Sequence, residues 1–244
     1  MMPHWPYPQW IAHRGAGLAA PENTMAAFQL GLKSGFTMFE CDAKLSADGV
    51  VFLLHDATLD RTTNTHGMAQ THTWDELCTL DAGSWHSEKF GQEKLPTLEQ
   101  LASFCIDHAC HLNIEIKPSP GFERLTGERV AREAQRLWAD QAIPPLLTSF
   151  KSEALQGAMV VAPELPRGLL MHELASDWHE TVSALQCQAL ACHFPLYNPL
   201  LIDEIKRLGL YSLAYTVNDV GTAHALLKMG VDSIISDTMD IAKV

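Results

Sequence analysis

Residues 38–55 read MFECDAKL, SADG and VVFLLH in succession. The first and third segments are rich in strand-forming residues, and the four residues between them favour a turn. A crossover between parallel strands needs a dozen or more residues, whereas a link as short as Ser46–Gly49 permits only an antiparallel hairpin. We therefore predict that Met38–Leu45 is a strand of the main sheet and that Val50–His55 is a return strand outside it.

Further strand-like segments alternate along the chain with amphipathic segments that have helical spacing. This alternation, in a chain of 244 residues, is typical of an α/β protein and predicts a (β/α)8 TIM barrel. The predicted barrel strands are Trp10–His13, Met38–Leu45, Leu112–Lys117, Leu146–Phe150, Gly168–Met171, Ala189–His193, Tyr211–Thr216 and Ser233–Ser236. The predicted helices are Met25–Ser34, Leu98–His108, Gly127–Asp140, Ser152–Val161, Trp178–Leu185, Leu200–Leu208 and Val220–Met229.

One connection in this pattern is long, because 56 residues separate His55 from Leu112. Thr97 and Gln100 have the spacing of a helix N-terminal capping box, so a helix accounts for the last part of this segment. The remainder, about residues 56–96, is predicted to be a small insertion after the second strand. We expect it to form a lid or side wall on the active-site face of a single domain spanning residues 1–244.

The composition limits the classes of partner. A net charge of −12 argues against nucleic acid, because binding to phosphate backbones draws on clustered Lys and Arg. The N-terminus lacks the features of a signal peptide, and no apolar run is long enough to span a membrane. The six cysteines lack paired or zinc-binding spacing, which favours reduced thiols. We expect a cytoplasmic protein without stable membrane association, and the sequence leaves a homo-oligomer open.

Three acidic residues are predicted to meet at one end of the barrel. Residues i and i+2 of a strand share a face, so Glu40 and Asp42 point the same way, and Glu115 lies on a strand with the same alternation. Three carboxylates in one barrel mouth repel one another unless a cation joins them. Oxygen ligands of this kind suit Mg²⁺ or Ca²⁺, whereas the sequence lacks the thiolate or histidine cluster of a zinc site.

Two histidines end strands that should converge on these carboxylates. His13 ends the first strand and His55 ends the return strand, and an ordinary imidazole pKa of about 6.5 lets one act as base and the other as acid. Arg14 and Lys117 supply positive charges that can bind a phosphate. This combination fits the cleavage of a phosphate ester. His193 also ends a predicted barrel strand and is a candidate substrate contact.

Short sequence blocks occur in a set order along nearly the whole chain. They are His13-Arg14-Gly15, Pro21-Glu22-Asn23-Thr24, Glu40-Cys41-Asp42, Asp48-Gly49, His55-Asp56, Arg61-Thr62-Thr63, Pro96-Thr97-Leu98, Glu115-Ile116-Lys117, Ser149-Phe150, Thr216-Val217-Asn218 and Ser236-Asp237. Each block alone is weak evidence, but the ordered set resembles the glycerophosphodiester phosphodiesterases. The chain length and the N-terminus look most like the cytoplasmic bacterial branch of that family.

The resemblance implies a fold, an activity and a role for each matching residue. The family fold is a barrel with a small insertion after the second strand. Its small-molecule substrates are glycerophosphodiesters such as glycerophosphocholine and glycerophosphoethanolamine, which are hydrolysed to sn-glycerol 3-phosphate and an alcohol. The implied roles are metal ligation by Glu40, Asp42 and Glu115, acid–base catalysis by His13 and His55, phosphate contact by Arg14 and Lys117, and a loop bordering the site at Glu22 and Asn23.

The chain departs from the family pattern at one position. The family often has Trp where this chain has Tyr215, just before Thr216-Val217-Asn218. Tyr keeps an aromatic wall but is smaller and adds a hydroxyl. We therefore expect a different shape for the glycerol pocket, with the catalytic set unchanged.

Two other functions stay open at this point. A phospholipase C- or D-like phosphodiesterase would act on lipids at a membrane surface, where Trp5, Tyr7 and Trp10 are the candidate contacts. We expect these aromatic residues to fill the bottom of the barrel instead. A non-catalytic barrel could serve as a binding module, because fold does not imply function, although such a module would not need the complete set of histidines and carboxylates.

Overall fold

The computed structural model describes residues 5–241, whose strands form one sheet that closes into a barrel. Eight strands pair in parallel around the barrel, and the ring closes where Ala12 pairs with Phe39. The prediction of a (β/α)8 TIM barrel is therefore confirmed. In chain order the strands are β1 (Trp10–Ala12), β2 (Met38–Leu45), β3 (Val51–Leu53), β4 (His111–Ile116), β5 (Leu146–Ser149), β6 (Arg167–Met171), β7 (Ala189–His193), β8 (Tyr211–Tyr215) and β9 (Ser233–Ser236).

Strand β3 is the return strand expected from the short link. It pairs antiparallel with the end of β2, with Ala43 opposite Leu53 and Leu45 opposite Val51. The turn uses Gly49 at a φ of 85°, a conformation that glycine adopts without steric penalty. The strand ends at Leu53, before the predicted end at His55, and the hairpin brings His55 back over the barrel mouth two residues later.

Helices follow the strands and pack on the outside of the barrel. The capping box at Thr97 is present as predicted, with the Gln100 side chain accepting from the Thr97 amide at 2.8 Å. The helices are α1 (Met25–Lys33), α2 (Trp74–Leu77), α3 (Leu98–Asp107), α4 (Glu123–Leu137), α5 (Ser152–Val161), α6 (Trp178–Ala184), α7 (Pro199–Arg207) and α8 (Val220–Met229).

The predicted start of α4 at Gly127 was wrong by about one helical turn, since the helix begins at Glu123. Gly127 instead lies inside the helix. The position requires glycine, because a side chain there would collide with the backbone carbonyl of Ala154 in α5. Gly157 in α5 has the reciprocal relationship with the carbonyl of Arg124 in α4. The two glycines allow the neighbouring helices to approach closely.

Residues 56–96 form short turns and the four-residue helix α2 above the barrel. Their buried apolar residues, including Leu59, Leu77 and Leu95, pack with Phe52 of β3 in a small core of their own. Nε2 of His86 lies 3.1 Å from the Leu18 carbonyl, which joins this segment to the loop after β1. The segment therefore forms a wall on the side of the mouth next to β1 and β2.

Aromatic residues close the other end of the barrel. Tyr7 packs with Ile11 and Met38 inside the strands, and its hydroxyl donates to the Pro144 carbonyl at 2.9 Å. Trp5 packs at 4.4 Å from the Tyr211 ring, whereas Trp10 packs against the core outside the barrel. The expectation for the bottom of the barrel thus holds for Trp5 and Tyr7 and was wrong for Trp10.

Among the described residues, no helix is long and apolar enough to cross a membrane, and each of the six cysteines has a free thiol. The prediction about a signal peptide concerns in part residues 1–4, which lie outside the described residues.

Candidate active site

Three carboxylates meet inside the barrel mouth, as the alternation of the strands predicts. Glu40 and Asp42 lie on the inner face of β2, and Glu115 is the partner of Asp42 on β4. One oxygen atom from each lies within 4.8 Å of the other two. Oε1 of Glu40 and Oδ1 of Asp42 are buried and have no hydrogen-bond partner within the described residues. Buried, unpartnered anionic oxygens facing one another fit a cation site.

The electrostatics of the cluster point the same way. Burial and the charge of Asp42 raise the pKa of Glu40 to about 8 and that of Glu115 to about 6. Burial also opposes ionisation of Asp42, but the charges of Arg14 and Lys117 hold its pKa at about 2. Without a cation the cluster therefore retains a proton at neutral pH. A divalent cation would replace that proton and join the three carboxylates.

His13 follows β1 and is oriented by a carboxylate at the end of β9. Its Nδ1 lies 2.6 Å from Oδ1 of Asp237, and its Nε2 faces Glu40 Oε2 at 3.8 Å. Burial lowers the pKa of His13, but the hydrogen bond to Asp237 and the charge of Glu40 outweigh burial and raise it above 6.5. Because an ionised carboxylate only accepts hydrogen bonds, Nδ1 carries a proton and Nε2 points into the site.

His55 follows β3 and has the same kind of partner. Its Nδ1 lies 2.7 Å from Oδ1 of Asp56. Burial and the positive charges of Arg14 and Lys117 lower the pKa of His55 below 6.5, against the opposing effects of Asp42 and Asp56. The two histidines are thus shifted in opposite directions, which is the pattern of an acid–base pair.

Two cations flank the carboxylates. The backbone amide of Arg14 donates to Glu40 Oε2 at 2.9 Å. The side-chain Nε of Arg14 lies 3.2 Å from Asp42 Oδ2. Arg14 has a φ of 50°, a left-handed conformation that is strained for a side chain with Cβ. Nζ of Lys117 lies 2.7 Å from Glu115 Oε1 and 3.8 Å from Asp42 Oδ1. Both positive charges can therefore reach a phosphate held at the cluster.

The loop after β1 borders the site as expected. The Asn23 side chain donates to Asp42 Oδ2 at 2.8 Å and accepts from the Asp42 amide at 3.1 Å, so it fixes that carboxylate. Glu22 accepts from Arg14 Nη1 at 2.9 Å. These contacts make Glu22 and Asn23 supports for the charged groups.

The opposite sector of the mouth is aromatic. Tyr215 at the end of β8 and Phe150 after β5 line the cavity next to His13 and Glu115, and their ring centroids are 5.8 Å apart. His193 at the end of β7 lies 6.2 Å from the Tyr215 ring and stacks on His172 at 4.4 Å. The mouth is therefore divided into a polar sector at β9 and β1–β4 and an aromatic sector at β5–β8.

Some residues that shape the site had no role predicted from the sequence, namely Asp56, Arg61, Phe150 and Asp237. Asp237 directly follows β9, and a carboxylate after a barrel strand is a signal that could have found it. Asp56 adjoins His55 in the chain. Arg61 lies in the insertion, and only the folded arrangement brings its guanidinium 2.7 Å from Oδ2 of Asp56.

Comparison with known proteins identifies relatives over nearly the full length. The model of the glycerophosphoryl diester phosphodiesterase family matches residues 13–241. A glycerophosphodiester phosphodiesterase of Caldanaerobacter subterraneus is 34% identical, over 93% of each chain. A phosphodiesterase of Oleispira antarctica, solved with the product sn-glycerol-3-phosphate, has a TM-score of 0.90 at 34% identity and covers 97% of this chain and 96% of its own.

A glycerophosphodiester phosphodiesterase structure from Agrobacterium tumefaciens is also similar, with a TM-score of 0.84 at 29% identity over 97% of this chain and 99% of its own. The sequence matches and the structural matches therefore cover nearly the same residues and indicate the same family. The chain belongs to the glycerophosphoryl diester phosphodiesterase family.

Proposed function

We propose that this chain hydrolyses glycerophosphodiesters, such as glycerophosphocholine and glycerophosphoethanolamine, to sn-glycerol 3-phosphate and an alcohol. The observation that carries the proposal is the pair His13 and His55 beside the buried carboxylate cluster. Each histidine is hydrogen-bonded to its own carboxylate, and the pKa of His13 is raised whereas that of His55 is lowered. Family membership and the product seen in the Oleispira antarctica relative support the same reaction.

Glu40, Asp42 and Glu115 would hold one divalent cation, Mg²⁺ or Ca²⁺. Their unpartnered buried oxygens and the raised pKa of Glu40 support this assignment, and hard oxygen ligands suit either ion. When bound, the cation supplies positive charge that polarises the phosphoryl oxygens. Arg14 and Lys117 would neutralise the remaining charge of the phosphate.

We assign the base role to His55 and the acid role to His13. The lowered pKa of His55 favours an unprotonated Nε2, which can remove a proton from the attacking oxygen of either a substrate hydroxyl or water. The raised pKa of His13 favours its protonated form, whose Nε2 can donate a proton to the leaving alcohol. Asp56 and Asp237 hold the two rings in the required tautomer.

Tyr215 and Phe150 would contact the glycerol portion of the substrate. His193 would contact the substrate at the edge of this aromatic wall. Apolar rings against the carbon atoms of glycerol exclude water from one side of the phosphate.

The test is release of sn-glycerol 3-phosphate from glycerophosphocholine by purified protein with EDTA, and then with Mg²⁺ or Ca²⁺ restored. We expect release only with a restored ion, and loss of at least about a hundredfold in His13→Ala and His55→Ala. The matched control is His66→Ala, an exposed histidine paired with Asp60. Absence of release from folded protein with either ion contradicts the proposal.

We infer further that the chain acts as one barrel domain with residues 56–96 as its insertion. The contact between that segment and the loop after β1 supports this organisation. Cytoplasmic location stays a prediction from the sequence.

A further inference from the structure

Lys44 is a buried cation in the barrel mouth that the proposed chemistry does not use. It follows Glu40 and Asp42 on the same face of β2, because residues i and i+2 of a strand point the same way, and it is 2% exposed. Among the described residues, no carboxylate oxygen lies within 4.0 Å of its Nζ. Burial of an ammonium group without a carboxylate partner costs stability, so stability alone does not explain a lysine at this position.

The side chain of Lys44 makes one hydrogen bond within the described residues, and its partner is the backbone of Lys117. Nζ of Lys44 donates to the Lys117 carbonyl oxygen at 2.9 Å. No backbone amide of residues 5–241 donates to that oxygen. Strand β4 ends at Ile116, shortly before Pro118, whose ring leaves no N–H for a sheet. The Lys44 side chain thus binds the chain at the point where regular strand pairing stops.

The backbone of Lys117 is held from both neighbouring strands. Its amide donates to the Ala43 carbonyl of β2 at 2.9 Å, and its carbonyl accepts from Lys44 of the same strand. From β5, the Ser149 hydroxyl donates to the Ile116 carbonyl at 2.8 Å. These bonds fix the stretch of backbone from which the Lys117 side chain extends.

The two lysines differ in their access to the cavity. The Lys117 side chain is 19% exposed, and its Nζ lies 2.7 Å from Glu115 Oε1 and 3.8 Å from Asp42 Oδ1. Lys44 is buried and its Nζ is bound to backbone. A phosphate at the carboxylate cluster can therefore meet Lys117 directly, whereas Lys44 acts on it only through Lys117.

We propose that Lys44 is a positioning residue of the phosphate site, which holds the Lys117 backbone so that the Lys117 ammonium group faces the carboxylate cluster. The inference rests on the proposed function, because it takes Lys117 as a contact of the phosphate. The ammonium group of a lysine stands on a long flexible stem. A shift of the Lys117 carbonyl therefore changes where the charge lies, and small displacements of a substrate-binding group reduce catalysis.

The first test replaces Lys44 by Met and by Arg. Lys44→Met keeps the stem of the side chain and removes the ammonium group, so kcat/KM for glycerophosphocholine should fall by about tenfold. Lys117 contacts the phosphate in the bound substrate as well as in the transition state, so the loss should appear mainly as a higher KM. Lys44→Arg keeps a donor for the carbonyl and should stay within about threefold of the wild-type value.

A purely structural role of Lys44 predicts the reverse order, because Met fits the space of the lysine stem and Arg is larger. A kcat/KM of Lys44→Met equal to or above that of Lys44→Arg therefore overturns the inference. The matched control is Lys33→Met, which removes an exposed ammonium group at the end of α1 and should leave turnover unchanged.

The second test is a double-mutant cycle with Lys117→Met. If Lys44 acts through Lys117, the double variant should have the kcat/KM of Lys117→Met within about twofold. Losses that multiply in the double variant would mean that Lys44 acts by a route independent of Lys117, and they overturn the inference.

A binding measurement separates the inference from the proposed function. By calorimetry with Mg²⁺ or Ca²⁺ present, the Kd for sn-glycerol 3-phosphate should rise by about tenfold in Lys44→Met and stay unchanged in Lys33→Met. Normal hydrolysis of glycerophosphocholine by the wild type, together with an unchanged Kd in Lys44→Met, overturns the inference and leaves the proposed function standing. Absence of hydrolysis by the wild type overturns the proposed function.

Discussion

Arg61 and Glu22 form a two-point ion pair, in which Nη1 lies 2.7 Å from Oε2 and Nη2 lies 2.7 Å from Oε1. Arg61 belongs to the insertion, and Glu22 belongs to the loop after β1. The same guanidinium donates from Nε to Asp56 Oδ2 at 2.7 Å. One side chain of the insertion thus holds both the partner of His55 and the partner of Arg14.

Replacement of Arg61 by Gln should reduce kcat/KM for glycerophosphocholine by about tenfold, because charge-assisted hydrogen bonds to two carboxylates are lost at a partly exposed position. The loss of positive charge near Asp56 also raises the pKa of His55. The rising limb of the pH–rate profile should therefore move to higher pH.

The control for this variant is Arg124→Gln, which removes an exposed arginine that pairs only with Glu128 among the described residues. An unchanged pH–rate profile in Arg61→Gln would show that the ion pair does not act through His55.

The wild-type enzyme should have a bell-shaped pH dependence of kcat/KM. His55 must be unprotonated and has a lowered pKa, so activity should rise with pH at values below 6.5. His13 must be protonated and has a raised pKa, so activity should fall only at values above 6.5. Stopped assays from acid to alkaline pH measure both limbs, and a single limb contradicts the two-histidine mechanism.

Asp237→Asn tests the acid side of the same mechanism. Loss of this carboxylate removes a contribution that raises the pKa of His13, so the falling limb should move to lower pH. The maximum rate should drop by about a hundredfold because the ring loses its fixed tautomer. Asp240→Asn, three residues further along and exposed, is the control. A falling limb at the wild-type pH excludes Asp237 as the orienting residue.

The carboxylate cluster should make the stability of the metal-free protein depend on pH. The folded-state pKa of Glu40 is about 8, above its ordinary value of 4.5, so its contribution is fully present below pH 4.5 and is lost as pH rises through 8. Thermal unfolding in EDTA should therefore show a Tm that falls over this window.

A saturating divalent cation should reverse that loss and raise Tm by about 5–10 °C at a hundredfold excess over Kd. Glu40→Gln should remove most of both effects. A Tm in EDTA that does not change between pH 4.5 and 8 would contradict the assignment of the buried cluster.

The Tyr215 hydroxyl is buried and lacks a hydrogen-bond partner within the described residues. Tyr215→Phe should therefore be neutral or stabilising by about 1 kcal/mol in denaturant unfolding. A rise in KM for glycerophosphocholine in the same variant would assign the hydroxyl to the substrate. A destabilised variant would mean that the hydroxyl has a partner in solution.

Gly127→Ala should destabilise the protein by about 1–3 kcal/mol, because its methyl group would meet the backbone of α5. The control is Gly221→Ala in the first turn of α8, where a methyl group makes only ordinary contacts with Asp219. Urea unfolding of the two variants measures the difference, and equal stability would contradict the close packing of α4 and α5.

The sequence predicted most of the barrel because its signals are local. Alternating faces in β2 and β4 and the four-residue link before β3 follow from residues close in the chain. The start of α4 was missed for the same reason. Its N-cap residue, Phe122, makes no side-chain cap, and Gly127 reads as a helix breaker until α5 is packed against it.

The positions of Glu40, Asp42 and Glu115 were predictable, because each depends on the alternation of faces along its own strand. The pairing of His13 with Asp237 and that of Glu22 with Arg61 depend on how distant segments meet. Asp237 lies at the opposite end of the chain from His13, and no periodicity links the two.

The division of the mouth into a polar and an aromatic sector has a consequence for how this enzyme can be altered. The groups to which we assign proton transfer and phosphate binding follow β9 and β1–β4, whereas the segments after β5–β8 contribute walls. Substitutions in the segments after β5–β8 can therefore change which alcohol is accepted while the chemical step is retained. A library confined to those segments should yield altered selectivity at a higher frequency than one spread over the whole mouth.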